Sequence, residues 1–239
     1  AFSGSDLALR VFTSRLLGRE PQLVLHGGGN TSVKSTVTDF FGESHDVLYI
    51  KGSGGDLATI DTGGFPAVKM SVLLKMADLA SLTDADMVRE QRAAMLDPDS
   101  PNPSIEAVVH AVIPHKFVDH THSNAVIAVT NQPDGMELVR ATWGGRVIII
   151  PYVMPGFLLG KAVRELTKNA DWSKVEGLIL MQHGIFTFGA TARESYDRMI
   201  TLGSEAQAAL AARGGSPEAM AGAAFCADNA ALRVLAAHR

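Results

Sequence analysis

The sequence predicts a single α/β or α+β domain. Stretches with helical spacing alternate with short strand-like runs along most of the chain. No linker or internal repeat separates them, so residues 1–239 read as one domain. With 46% of the 239 residues apolar, there is enough material for a sizeable core.

The elements follow in order. Residues 5–18 carry Leu7, Leu9, Val11, Phe12, Leu16 and Leu17 on a broad helical stripe, with Asp6 placed to help cap it. Residues 22–26 run into Gly27, Gly28 and Gly29, which break any regular element. Residues 31–38 alternate as a strand, residues 46–51 form a second, and DFFGES between them predicts a hairpin turn. Another glycine cluster follows at Gly52, Gly54 and Gly55. Residues 67–81 and 85–95 have amphipathic helical spacing, and 97–104 is a loop rich in Pro and Asp. A short helix is expected over 104–113 and a strand over 116–122. Residues 146–150 and 177–182 are short apolar strands of the buried type. Residues 157–168 and 191–212 are expected to be helical, as is the alanine-rich tail beyond Gly214. Gly-Gly-Ser-Pro at 214–217 would mark a domain edge.

A net charge of −4 gives no long-range attraction to nucleic acid or to an anionic membrane. The one cysteine, Cys226, leaves no partner for an internal disulfide, which fits a cytoplasmic chain. No run of about 18 apolar residues predicts a spanning helix, and no signal peptide is expected at the N-terminus.

His120 and His122 stand at i and i+2, which on a strand puts both imidazoles on one face. Two such rings are a ready chelate for a borderline ion such as Zn²⁺; the other reading is a pair of surface or core histidines. His183 ends an apolar strand in QHGIFTFG, and the following glycine permits a close approach. On its own it reads as a hydrogen-bonded histidine at a strand end. Three histidines with an open position would match a catalytic site, whereas structural zinc sites close with four ligands.

Glu106 lies one turn before His110, and the two interrupt the apolar stripe of IEAVVHAVI. A carboxylate so enclosed holds its proton to higher pH, which suits a general acid–base. The alternative is an exposed glutamate favoured by the helix dipole. HGGGNTS (26–32) and KGSGG (51–55) offer bare backbone N–H groups of the kind that bind phosphate, or they are simply turns. Neither matches a P-loop or a dinucleotide fingerprint.

G-G-N-T-S, I-K-G-S-G, P-S-x-E-x-x-x-H, H-x-H and Q-H-G occur in that order, and together they resemble the class II aldolase/adducin family over about residues 5–210. LGREPQLVLHGGGNTSVK, FVDHTH, PYVMPGF and HGIFTFG are most similar to the aldolase part of bifunctional rhamnulose-1-phosphate aldolase/lactaldehyde dehydrogenase-type proteins, which continue into a dehydrogenase domain. The resemblance implies a three-layer α/β/α sandwich around a mainly antiparallel sheet, assembled as a homotetramer. It implies one divalent ion per chain, Zn²⁺ by preference, held by His120, His122 and His183, with Glu106 as acid–base residue. It implies phosphate binding by Gly29, Asn30, Ser53, Gly54 and Ser104. The implied reaction is cleavage of a ketose 1-phosphate, such as rhamnulose or fuculose 1-phosphate, to dihydroxyacetone phosphate and an aldehyde. Relatives also include sugar-phosphate epimerases, dehydratases and decarboxylases, and adducin-like scaffolds without catalysis. One departure stands out: aldolases of the family place a tyrosine after the H-x-H segment, and residues 123–142 hold none. Tyr152 and His115 are the candidates to replace it.

Overall fold

The computed structural model describes residues 5–214. Among them, seven strands form one sheet, flanked by eight α-helices. The first helix, α1 (Asp6–Gly18), is capped by Ser5, whose hydroxyl accepts from the Ala8 N–H; Asp6 occupies the first turn. Strands β1 (Asn30–Thr38) and β2 (Ser44–Ile50) form the expected hairpin. Its turn is fastened by Asp39, whose carboxylate accepts from the N–H groups of Phe41 and Glu43. Phe40 and Phe41 stand exposed at the tip.

Ala67–Lys69 is a strand, β3, although helical spacing extends over it. It pairs with β2 before the chain enters α2 (Met70–Asp78), so a neighbouring edge overrides local periodicity. Then follow α3 (Asp84–Ala93), the short α4 (Ala107–Val112) and β4 (Phe117–Thr121). Two further helices follow, α5 (Asn124–Thr130) and α6 (Gly135–Trp143); Met136, Val139 and Trp143 of α6 recur at helical spacing. The last elements are β5 (Val147–Ile150), α7 (Phe157–Leu166), β6 (Gly177–Leu180), β7 (Gly184–Gly189) and α8 (Ala192–Ala212). The tail beyond Gly214, including Cys226 and most of the Gly-Gly-Ser-Pro stretch, lies outside the described residues.

The strand order is β3-β2-β1-β4-β7-β6-β5. Every pairing is antiparallel except β5 with β6, which are parallel and joined through α7. Alternate strand positions feed two separate apolar clusters. Leu48, Ile50, Val118, Leu178 and Phe186 pack with α2, α3, α4 and α7. Ile179 and Ile185 pack with α1, α5, α6 and α8. Helices therefore cover both faces of the sheet, which accounts for the apolar character of its central strands.

One charged pair crosses the second cluster. Arg10 of α1 meets Asp119 of β4, and both side chains are fully buried. Arg10 also donates to Thr13 Oγ1 at 2.7 Å, and Ser195 of α8 donates to Asp119 Oδ2 at 2.5 Å. Burial pulls the guanidinium pKa down and the carboxyl pKa up, and the mutual attraction of the pair opposes both shifts. Arg10→Met would leave Asp119 charged and unpaired in an apolar setting. The expected loss is about 3–5 kcal/mol in urea unfolding; an unchanged midpoint would show that the pair does not hold α1 to the sheet.

Candidate functional site

The site gathers where three strand ends meet. β4 carries His120 and delivers His122 one residue beyond its end. The tight turn between β6 and β7 delivers His183. Two local features shape that turn. Gln182 adopts a positive φ of 55°, and its side-chain amide donates to Thr130 O at 2.7 Å. Gly184 leaves no room for a side chain, because an added Cβ would overlap the Thr121 carbonyl and come within 3.3 Å of the His120 and His122 rings. The glycine after His183 thus does what its position suggests: it lets one strand end close against the other.

The three rings form a triangle with centroid separations of 4.9, 5.0 and 5.2 Å. Each can turn one nitrogen to a common point, since the available ligand atoms lie within 4.8 Å of one another. His120 is fully buried. Its Nδ1 lies 3.0 Å from Ile185 O, an acceptor only, so Nδ1 carries the proton and Nε2 presents a lone pair. That Nε2 has no hydrogen-bond partner, as expected of an atom waiting for a cation. Phe186 stacks on the ring at 4.1 Å and fixes its plane. Burial pushes the pKa of His120 well below its ordinary value, lowers that of His122, and takes His183 to about 4. All three are therefore neutral, the form that ligates metal.

Glu106 faces this triangle. It is the residue before α4 and only 5% exposed, so the exposed-glutamate reading does not hold. Its two oxygens lie 3.4 Å from His120 Nε2 and 3.5 Å from His183 Nε2. Four groups named from the sequence are thus brought to one place by β4, the β6–β7 turn and the start of α4. The donor set of three neutral imidazoles and a carboxylate suits a borderline divalent ion such as Zn²⁺.

The glycine loops meet beside it. An added Cβ on Gly27 would lie 3.2 Å from Gly54 O, and Gly29 has a φ of +62° with its backbone against His120 O. Lys51 ties the loops down by donating to Gly27 O at 2.7 Å and Gly29 O at 2.9 Å. Burial lowers its pKa to about 8, against the attraction of Asp56 and Glu106. Lys51 was not singled out in the sequence, although it stands inside the IKGSG motif. Both loops lead into a strand or turns rather than a helix, unlike a dinucleotide-binding turn.

The five expected anion ligands are differently placed. Gly29 and Gly54 lie on the touching loops. The Ser53 N–H is spent on Asn102 O and the Gly55 N–H on Gly52 O, so the second loop offers fewer free donors than its composition suggests. Ser104 Oγ accepts from the Glu106 N–H and from Asn30. Asn30 is buried, and its amide is fully engaged: Nδ2 donates to Glu106 Oε2 at 2.7 Å and to Ser104 Oγ at 3.1 Å, and Oδ1 meets His110 Nε2 at 2.5 Å. His115 sits before the opposite end of β4, stacked on Phe188, away from the triangle.

Comparison with known proteins agrees with this geometry. The model of the Class II Aldolase and Adducin N-terminal domain matches residues 10–210. A curated relative, "Uncharacterized oxidoreductase YuxG" of Bacillus subtilis (strain 168), is 36% identical over 198 residues, or 82% of this chain; the chain spans 28% of that protein's length. Among solved structures, the N-terminal class II aldolase domain of a conserved protein from Thermoplasma acidophilum is 41% identical, with a TM-score of 0.79 over 85% of this chain and 93% of that one. A sugar-phosphate aldolase from Thermotoga maritima shares the fold at 17% identity, with a TM-score of 0.62 over 86% of this chain and 94% of its own. With motif order, histidine triangle and matched span in agreement, the chain belongs to the class II aldolase and adducin family.

Proposed function

We propose that this chain is a metal-dependent aldehyde-lyase that cleaves a ketose 1-phosphate, such as rhamnulose or fuculose 1-phosphate, to dihydroxyacetone phosphate and an aldehyde. The observation that carries the reading is the buried, unpartnered Nε2 of His120, set among His122, His183 and Glu106. Such a set has little value to a scaffold. Solved structures described as an L-fuculose-1-phosphate aldolase and a sugar-phosphate aldolase share the fold.

His120, His122 and His183 would hold one divalent ion, Zn²⁺ by preference, and the ion when bound supplies Lewis-acid polarisation of a substrate carbonyl. The chain's own residues account for the rest. Gly29, Gly54 and the hydroxyls of Ser53 and Ser104 would receive the phosphate, a remote handle that orients the reacting carbons. Retro-aldol cleavage breaks C3–C4: the C4 hydroxyl loses a proton as the aldehyde forms, and C3 gains one. Glu106 would deliver the proton to C3 from its place beside the triangle. The positive charge of Lys51, 2.9 Å from Gly29 O, favours an anionic substrate at the loops.

Three measurements test this. The purified protein should hold or take up about one Zn²⁺ or Co²⁺ per chain, and the His120→Ala, His122→Ala double variant should bind none. Folded wild-type protein that takes up no metal would return the chain to a scaffold role. With metal bound, Glu106→Gln should retain the ion and lose about 10²–10⁴-fold in turnover; full activity would remove Glu106 from the chemistry. Product analysis on the two ketose 1-phosphates separates the remaining family reactions, because an epimerase or dehydratase leaves the carbon chain intact.

A further inference from the structure

His110 is a buried titratable group beside Glu106 that the proposed chemistry does not use. It lies fully buried on α4, one turn after Glu106, with Phe186 packed edge-on at 5.2 Å. Its two nitrogens each have a partner: Nδ1 meets Ser32 Oγ at 2.7 Å and Nε2 meets Asn30 Oδ1 at 2.5 Å.

The direction of every hydrogen bond in this chain is fixed from the Glu106 end. The Asn30 atom facing Glu106 Oε2 is the amide nitrogen, which donates to it at 2.7 Å. The Asn30 oxygen then faces His110, and a carbonyl oxygen only accepts, so Nε2 carries the imidazole proton. Burial keeps His110 neutral, its pKa well below the ordinary value. Nδ1 is then bare and accepts from the Ser32 hydroxyl.

We propose that Ser32, His110 and Asn30 are positioning residues that hold Glu106 Oε2 as a permanent acceptor and leave Oε1 as the oxygen that carries the transferred proton. A proton on Oε2 would meet the Asn30 N–H head-on. Oε1 has no hydrogen-bond partner and is the oxygen turned to His183 Nε2. The same engagement commits both Asn30 N–H groups, one to Glu106 and one to Ser104. An anion could recruit Asn30 only by displacing Ser104 or Glu106 from one of its N–H groups. This inference rests on Glu106 acting as proposed, and it adds the atom at which it acts and the groups that aim it.

The test has two arms that fail separately. In the wild-type protein labelled with ¹⁵N-histidine, long-range ¹H–¹⁵N spectra should show His110 neutral, protonated on Nε2 and bare on Nδ1. A proton on Nδ1, or on both nitrogens, would reverse the chain and overturn the proposal whether or not the protein cleaves a sugar phosphate. In the second arm, zinc-loaded variants are assayed with L-rhamnulose 1-phosphate. His110→Phe should lower kcat by about 10–100-fold with KM and bound zinc close to wild type, because the phosphate contacts are untouched. His110→Gln, which can still donate to Asn30, should recover much of that loss, and Ser32→Ala should have a smaller effect of the same kind. A folded His110→Phe variant with wild-type kcat, or one whose defect lies in KM alone, would defeat the positioning role. Absence of turnover in the wild type would count against the lyase reading and leave the imidazole spectrum to decide the chain.

Discussion

Strand β4 is bonded on both sides, to β1 and to β7, and the registers of those two ladders decide where each polar group of the site lies. Asn30 is opposite His120 on one side, and Phe186 is opposite His120 on the other. A slip of one residue in either ladder would turn the imidazole to the other face of the sheet. The registers are held in turn by the buried Arg10–Asp119 pair, one residue before His120, and by the overlap that would follow any side chain at Gly184. Charge and close packing thus lock the same strand from two directions.

From that locked strand outward, the polar groups are ordered by the scarcity of water. Each buried donor near Glu106 has been given an acceptor: Asn30, Ser104, Ser32 and His110 complete one another's valences. Three buried atoms without a hydrogen-bond partner, His120 Nε2, Glu106 Oε1 and His183 Nδ1, lie side by side here, while others among the described residues stand apart on Gln91, His115 and Trp143. Three such atoms side by side, on groups that can all ligate a cation and amid polar neighbours that are otherwise paired, suit a place for a ligand.

Much of this was legible in the sequence. The hairpin at 39–43 and the helices α1 and α8 follow from turn chemistry and apolar period, and spacing pairs His120 with His122; His183 joins them through the family resemblance. What was not legible depended on contacts distant in sequence. Ala67–Lys69 is a strand only because β2 lies beside it. GIFTFG forms β7 although glycine at both ends and a short length give a weak local signal. α5 is helical because it packs on α8, its seven residues being too few to show a clear repeat. Asn30 was legible as a site residue from the GGN motif; that its amide joins Glu106, Ser104 and His110 is visible only in three dimensions.

The strand order has a temporal meaning. β1 and β4 are neighbours in space, yet residues 39–116 separate them along the chain, and the turn that bears His183 comes some sixty residues later still. Pairings of such long sequence separation form late and cooperatively, after the loop-closure entropy has been overcome. During synthesis the domain can hold Glu106 and the His120–His122 pair in an emerging segment without possessing a place for an ion, because the third imidazole and the strand that closes it have not yet appeared. With an ion held as proposed by His120, His122 and His183, its capture would be tied to completion of the sheet, and occupancy of the triangle would report that the domain has folded.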